Sequence, residues 1–149
     1  MNEGQLSTFQ RLEVAAGIIW QGNTFLATKR HKEKVQGNLW EFPGGKRENG
    51  ESLLETLQRE LKEELDITVT SAHLFKTLEH CYDKEGYIVH LSFFHVTSYQ
   101  GEPKALEGQK LAWLSPAEAL KRAFLPADQP ILTQLGALLL MQKKNDALI

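Results

Sequence analysis

The chain has 149 residues, of which 42% are hydrophobic, and this size fits one globular domain with a single enclosed core. Its 17 Lys and Arg residues against 19 Asp and Glu residues give a formal charge of -2, which argues against a protein that binds long nucleic acid. Cys81 is the only cysteine, so an internal disulfide and a cysteine-rich zinc site are excluded.

The N-terminal segment has no features of an export signal. It lacks a basic start followed by an apolar run, and no stretch of the chain approaches the roughly 18 apolar residues of a membrane span. We therefore expect a cytoplasmic protein with no membrane partner, as a monomer or a homodimer. The expected organisation is a flexible segment at 1–10, one folded domain at 11–143 and a polar tail at 144–149.

The pattern of apolar residues predicts mixed α and β structure. Alternation indicates strands, whereas helical spacing next to capping residues indicates helices. Strands are predicted at 13–20, 24–30, 67–79, 87–98 and 110–114, and helices at 53–65, after Ser115-Pro116 and from about Asp128. The first two strands should form a hairpin around residues 21–23, and the polar stretch 31–46 should be loop or irregular edge structure.

The helix predicted at 53–65 is the clearest local signal in the chain. Ser52 and Glu55 have the spacing of a capping box at its start, and leucines then recur at helical spacing. At about 100° per residue, Glu64 falls within the arc of leucines, roughly 20° from Leu57. An ionised carboxylate that faces a core is costly unless it has a partner, so Glu64 requires one.

Two more glutamates lie beside Glu64. Glu60 and Glu63 are its neighbours on the helix, and the mutual repulsion of the three carboxylates predicts a positive charge among them. Carboxylate oxygens suit Mg²⁺, with Mn²⁺ as a substitute. Arg59 can contribute as well, either by pairing with Glu51 or by orienting Glu60. The alternative to a metal site is a solvated acidic face that basic neighbours on the same helix neutralise.

The segment GKRENGESLLETLQRELKEELDI resembles the Nudix box, a 23-residue pattern of fixed spacing. Its defined positions are matched by Gly45, Glu51, Arg59-Glu60, Leu61, Glu63-Glu64 and Ile67. The mismatch is Asp66, where the family usually has a glycine that ends the helix in a left-handed conformation. Because aspartate tolerates that conformation, we expect a small stability cost and intact metal chemistry.

The resemblance extends beyond the box. EVAAGIIW, WEFPGGK, the EGQ at 107–109 and FLPADQP at 124–130 look like stretches of MutT-type nucleoside triphosphate pyrophosphohydrolases. Such a resemblance implies an α+β Nudix fold, in which helices sandwich a mixed β-sheet (α/β/α). It also implies that the metal ligands are the Gly44 carbonyl, Glu60, Glu63, Glu64 and Glu107. Glu107 could instead be an ordinary loop charge.

The resemblance further implies attack by water on the β-phosphorus of a nucleoside triphosphate, which releases the monophosphate and pyrophosphate. Glu60 is the favoured general base, and Glu51 and Glu63 are alternatives because different Nudix members use different bases. Arg30 matches a phosphate-contacting arginine, although it could equally form a surface salt bridge, and Lys46 is a weaker phosphate candidate.

The base pocket is less well defined. Phe42, Leu12 and Val14 match positions that wall it in MutT-type enzymes, but each would serve equally well in a core. Asp128 matches a position that typically presents Asn to the purine. An ionised Asp only accepts hydrogen bonds and would favour a base edge rich in N–H groups, such as guanine or the cytosine amino group. Asp128 is also a good N-cap for the last helix.

Three functions remain open at this point. The leading hypothesis is hydrolysis of 8-oxo-dGTP, because the stretches that flank the box are MutT-like. The alternative enzyme acts on CTP or 5-methyl-dCTP, since those pyrophosphohydrolases also look similar around Asp128. The hypothesis of another class is a non-catalytic module that binds nucleotides. Such modules often lose box carboxylates, and here all of them are present.

Overall fold

The computed structural model describes residues 10–34 and 36–147. Within this part of the chain, the secondary structure consists of seven strands and three α-helices, with one short 3₁₀ helix. In chain order these are β1 (Gln10–Gln21), β2 (Thr24–Lys29), β3 (Trp40–Glu41), β4 (Gly44–Lys46), α1 (Leu53–Leu65), β5 (Thr68–Tyr82), β6 (Tyr87–Gln100), β7 (Lys110–Leu114), α2 (Pro116–Leu120), the 3₁₀ helix (Pro126–Asp128) and α3 (Gln129–Ala147). The predicted flexible segment lies outside the described residues except for Gln10.

Most of the predicted elements form where the sequence placed them. Helix α1 and strand β7 have the predicted bounds, and the turn of the predicted hairpin contains Gly22 with a φ of 62°. The structure differs from the prediction in two segments. The stretch 31–46 contains strands β3 and β4, and α3 continues through residues 144–147 of the predicted polar tail.

The sheet is built around a parallel pair of long strands. Its order is β3-β2-β1-β6-β5, and β1 runs parallel to β6 from Gln10↔Tyr87 to Ile19↔Val96. The β1–β2 pairing is limited to the hairpin end, at Trp20↔Phe25 and Gln21↔Thr24. Elsewhere β1 pairs with β4 and β2 pairs with β7, both antiparallel. The sheet is therefore mixed, as predicted.

Successive residues of β1 face opposite sides of the sheet, and each side carries a core. Ala15 and Ile19 pack on one side with the buried leucines of α1, which are Leu57, Leu61 and Leu65. Ala16 and Ile18 pack on the other side with the buried residues of α3, which are Ile131, Leu132 and Leu135. The predicted α/β/α sandwich is confirmed, and it brings α1 against the sheet at β1 and β4.

None of the helices in residues 10–34 and 36–147 combines the length and the apolar character needed to cross a membrane.

Candidate functional site

The start of α1 is fixed by its capping box. The Ser52 hydroxyl accepts a hydrogen bond from the Glu55 N–H at 3.1 Å, and the Glu55 carboxylate accepts one from the Ser52 N–H at 2.9 Å. Gly45 of β4 then lets the helix approach the sheet closely, because a Cβ atom at Gly45 would overlap the Glu60 carboxylate. The glycine of the box therefore makes room for a glutamate of the box.

Arg59 organises the acidic side chains around this approach. Its guanidinium donates to both Glu51 oxygens at 2.6 and 3.0 Å, to Glu60 at 2.9 Å and to Glu63 at 3.3 Å. A further bond at 3.0 Å reaches the Lys46 carbonyl. Both interactions that the sequence suggested for Arg59, the pairing with Glu51 and the orientation of Glu60, are present together.

Glu51 is held in a structural position. Its carboxylate accepts bonds from Arg59, from the Glu48 N–H at 3.0 Å and from the Thr56 hydroxyl at 3.0 Å. The hydrogen bonds from Arg59, followed by that from the Glu48 N–H, lower the pKa of Glu51 to about 2. A carboxylate with this pKa and these partners is a weak proton acceptor, which favours Glu60 over Glu51 among the predicted general bases.

Most of the predicted site residues line one central cavity of about 490 Å³ between α1, the sheet and the start of α3. The predicted residues in its wall are Val14, Arg30, Phe42, Gly44, Lys46, Glu60, Glu64, Glu107 and Asp128. Four others lie outside the lining. Glu51 and Arg59 hold each other, Glu63 is 57% exposed beside Arg59, and Leu12 is partly buried against the core. The predicted roles of Glu63 as a metal ligand and of Leu12 as a pocket wall therefore stay predictions.

Glu64 has the environment that its position on the helix predicted. Burial, followed by the charges of Glu60 and Glu107, raises the pKa of Glu64 to about 9. Without a cation the Glu64 carboxyl therefore keeps its proton at neutral pH. A buried carboxyl group without a cation partner stays protonated, and a bound cation would take the place of that proton.

The carboxylate oxygens of the cavity are the ligand type that a hard divalent cation prefers, although the side chains do not converge on one point. Glu60, Glu64 and Glu107 line the central cavity, and a divalent cation would relieve the repulsion among their charges. No group of three His, Cys, Asp or Glu side chains in residues 10–34 and 36–147 is arranged tightly enough to hold a metal ion.

The C-terminal end of α1 fixes the loop that carries Glu107. The Leu106 N–H and the Gln109 side-chain amide each donate to the Glu64 carbonyl at 3.2 Å. The Gln109 amide oxygen accepts from the Glu107 N–H at 3.0 Å. Carbonyls at the end of a helix lack partners within the helix, and here the loop supplies them. The EGQ segment is thus tied to the box helix through Gln109.

Asp128 also lines the cavity and is only 3% exposed. Its Oδ2 accepts a hydrogen bond from the Phe42 N–H at 3.2 Å, so the carboxyl joins the 3₁₀ helix to the segment between β3 and β4. Burial raises the pKa of Asp128 to about 8. The sequence suggests an ionised, purely accepting Asp128, whereas burial favours the protonated carboxyl at neutral pH.

The Phe42 ring is held rigidly beside Asp128. Its centroid lies 5.0 Å from that of Phe25, 5.7 Å from Phe93 and 6.0 Å from Phe124. Phe42 is almost fully buried and also contributes to the cavity wall. The two interpretations offered by the sequence, core residue and pocket wall, apply to the same side chain.

Sequence reasoning missed one acid of the cavity. Glu41 lines the wall and pairs with Arg30 at 3.1 Å, and burial raises its pKa while Arg30 lowers it. A glutamate between two buried aromatic residues, Trp40 and Phe42, was a usable signal, because a carboxylate in such a place needs a partner. Arg30 combines the two predicted possibilities, since it forms this salt bridge and also lines the cavity.

Comparison with known proteins gives consistent results. A family model described as the NUDIX domain matches residues 15–134, which include the carboxylates of α1 as well as Asp128. The CTP pyrophosphohydrolase of Escherichia coli (strain K12) is 41% identical over 127 residues, or 85% of this chain and 93% of that relative. The 8-oxo-dGTP diphosphatase of the same strain is 36% identical over 130 residues, or 87% of this chain and 99% of that relative.

A solved structure supports the same grouping. A MutT structure from work on Aliivibrio salmonicida and Vibrio cholerae superposes with a TM-score of 0.77 at 35% identity. The match covers 87% of this chain and 99% of that chain. The family match at residues 15–134 therefore includes every residue that lines the central cavity except Val14.

Proposed function

Since this chain belongs to the Nudix hydrolase family, we propose that it hydrolyses 8-oxo-dGTP to the monophosphate and pyrophosphate. The observation that carries the proposal is the central cavity, in which the carboxylates of α1 and the buried pair Phe42 and Asp128 share one wall. A nucleotide has the same two parts, a polyanionic chain and a flat base. The cavity offers a place for each part in a single binding mode.

Nudix hydrolases generally need a divalent metal, and we propose Mg²⁺ for this chain, with Mn²⁺ as a substitute. The residues that would hold it are Glu60, Glu64 and Glu107 in the cavity wall, the Gly44 carbonyl, and Glu63 after rotation away from Arg59. When bound, the cation supplies neutralisation of phosphate charge and a lower pKa for water at that place.

The protein side chains would perform the remaining steps. Glu60 is the proposed general base, because it lies in the wall with a side chain only 17% exposed, whereas Glu51 and Glu63 lie outside the wall. Arg59 would orient Glu60 through its 2.9 Å bond. Arg30 and Lys46 would contact the phosphates from the same wall. The scissile bond is thereby held between a base and cations that stabilise the leaving group.

Recognition of the base is proposed to depend on neutral Asp128. With Oδ2 accepting from Phe42, the other carboxyl oxygen can carry the proton and act as donor and acceptor at once. The oxidised purine has an N–H at N7 next to the O6 acceptor, whereas guanine has two acceptors there. A protonated Asp128 therefore matches 8-oxoguanine and can replace the amide of an asparagine.

A second candidate substrate is CTP or 5-methyl-dCTP. The 41% identity to a CTP pyrophosphohydrolase favours it, and cytosine also has adjacent donor and acceptor groups on its pairing edge. The binding module without catalysis has less support, because every glutamate of the box is present and the family relatives are named as hydrolases.

The decisive experiment is a substrate panel with Mg²⁺, containing 8-oxo-dGTP, dGTP, CTP and 5-methyl-dCTP. The measurement is kcat/KM for each, with chromatographic identification of the monophosphate and with pyrophosphate detection. The proposal predicts the highest value for 8-oxo-dGTP. A value for 8-oxo-dGTP no higher than that for dGTP would refute it, and the highest value for a cytidine nucleotide would establish the second candidate.

A further inference from the structure

Thr56 is a polar side chain at a buried position of α1. It is 0% exposed, whereas the other buried positions of this helix are leucines. A buried hydroxyl group needs a hydrogen-bond partner, and that of Thr56 has two acceptors within reach. Its Oγ1 lies 3.0 Å from Glu51 Oε1 and 3.0 Å from the Ser52 carbonyl oxygen. Because a hydroxyl group has a single proton, the two acceptors compete for it.

The ordinary acceptor for a threonine hydroxyl within a helix is the carbonyl four residues earlier, which here belongs to Ser52. That carbonyl already accepts the Thr56 N–H at 2.9 Å. Glu51 is instead a carboxylate in an ion pair with Arg59 at 2.6 Å, and a charged acceptor forms the stronger hydrogen bond. The hydroxyl proton of Thr56 is therefore directed to Glu51.

The bond from Thr56 to Glu51 starts a chain of contacts that ends at Glu60. Arg59 donates through Nε and Nη2 to the two Glu51 oxygens at 2.6 and 3.0 Å, and through Nη1 to Glu60 at 2.9 Å. The Glu48 N–H also donates to Glu51, but it belongs to the exposed loop before α1. Thr56 is fully buried and lies on α1 itself, so it fixes the Glu51 carboxylate relative to the helix that carries Glu60.

We propose that Thr56 is a positioning residue, whose hydroxyl group holds Glu51 and Arg59 so that the Glu60 carboxylate is oriented for catalysis. The inference rests on the proposed function for the role of Glu60 as general base. Thr56 is not among the residues that line the central cavity, so it acts through Glu51 and Arg59. Its loss should therefore lower turnover more than it weakens the binding of the nucleotide.

The test compares three variants. Thr56→Val removes the hydroxyl group and keeps the branched shape, whereas Thr56→Ser keeps the hydroxyl group. Thr133→Val is the matched control, because the exposed Thr133 hydroxyl of α3 donates to the carbonyl four residues earlier, that of Gln129, at 3.4 Å. Steady-state kinetics with Mg²⁺ and the best nucleotide of the panel give kcat and KM. Nitrogen-15 NMR relaxation of the metal-free protein gives the order parameter of the Arg59 Nε–H group, which Arg59→Lys identifies.

Thr56→Val should lower kcat about tenfold with KM nearly unchanged, because a displacement of about 1 Å at a catalytic group can cost about 100-fold and a smaller one is expected here. The order parameter of the Arg59 Nε–H group should fall from about 0.85 to below about 0.6. Thr56→Ser and Thr133→Val should match the unmodified protein in both measurements.

An Arg59 order parameter that Thr56→Val leaves unchanged would overturn the proposal, and so would equal losses of kcat in Thr56→Val and Thr56→Ser. A lower order parameter with an unchanged kcat would likewise refute a role of Thr56 in the reaction. If the unmodified protein hydrolyses no nucleotide, the proposed function fails. A lower Arg59 order parameter in Thr56→Val, with none in Thr56→Ser, would in that case still support Thr56 as the residue that positions Arg59.

Discussion

Asp128 illustrates how burial decides the chemistry of a single residue. Its pKa is raised from 3.8 to about 8, so the folded protein retains the proton throughout the neutral range. The carboxyl loses that proton, and with it the ability to donate, only as the pH rises through about 8. Because guanine and 8-oxoguanine both present O6 as an acceptor, the loss of this donor must weaken the recognition of either base at alkaline pH.

We predict that the ratio of kcat/KM for 8-oxo-dGTP in the unmodified protein to that in Asp128→Asn depends on pH. Since the two proteins share the same substrate and the same catalytic groups, the ratio cancels the titration of both. The ratio should fall about tenfold per pH unit above pH 8, because Asp128 loses its donor whereas asparagine keeps a donor and an acceptor at all pH values. A ratio that does not change with pH would contradict recognition by protonated Asp128.

At the scale of elements, the important junction is the end of α1 against the 104–109 loop. The last carbonyls of the helix bind this loop, with Lys104 N–H donating to the Leu65 carbonyl at 2.9 Å and Gln109 bridging the Glu64 carbonyl and the Glu107 N–H. A ligand from outside the box is therefore positioned by the box helix itself. Outer residues that orient a ligand commonly affect metal affinity as well.

Gln109→Leu should weaken Mn²⁺ binding about 10- to 100-fold without abolishing folding. Electron paramagnetic resonance of free Mn²⁺ measures the affinity without any nucleotide, and Glu107→Gln is the comparison. If Gln109 acts through Glu107, the double variant should bind Mn²⁺ no more weakly than Glu107→Gln alone. Additive losses would show that Gln109 acts elsewhere, and an unaffected Glu107→Gln variant would instead remove Glu107 from the ligand set.

Asp66, the mismatch in the box, also lies at the C-terminal end of α1. Asp66 adopts the left-handed conformation with φ 58° and ψ 36°, as the sequence suggested, and its carboxylate pairs with Lys62 at 3.0 Å and Lys104 at 3.7 Å. Glycine would relieve the backbone strain but lose these pairs, whereas alanine would lose the pairs and keep the strain.

Calorimetry should therefore give Asp66→Gly a Tm close to that of the unmodified protein and Asp66→Ala a Tm lower by about 3 °C. Neither change should alter kcat. A Tm for Asp66→Ala equal to that for Asp66→Gly would mean that the left-handed conformation is not strained. A large loss of kcat in either variant would mean that position 66 affects the site.

Elements set by local chemistry were predictable, and those set by distant partners were not. The capping box and leucine spacing were sufficient for α1, and they also placed Glu64 against the core. Strands β3 and β4 are two and three residues long and exist because β2 and β1 pair with them, which composition does not reveal. The contact of Glu63 with Arg59 at 3.3 Å likewise depends on side-chain conformations that spacing along the helix does not specify.

For the whole molecule, the central cavity links stability to pH. Ordinary carboxyl groups have pKa values near 4, whereas those of Glu64 and Asp128 are raised to about 9 and 8. The folded protein thus binds protons that the unfolded chain releases, so its stability from these groups is full below about pH 4 and is lost toward pH 9. Glu51 has the opposite sign, because its lowered pKa contributes stability above about pH 4.5 that is lost toward pH 2.

Mg²⁺ should stabilise the protein more at high pH than at low pH. The cation needs ionised Glu64, so at pH 6 it must displace a proton that is already absent at about pH 9. About 5 mM Mg²⁺ saturates typical sites, and the increase in Tm that it produces should therefore be larger at pH 9 than at pH 6. Excess chelator should abolish this increase. Glu64→Gln should show little increase at any pH, a metal-free Tm that falls less as the pH rises, and a loss of kcat of more than about 100-fold. An increase in Tm that does not depend on pH would contradict proton displacement from Glu64 as the event that accompanies metal binding.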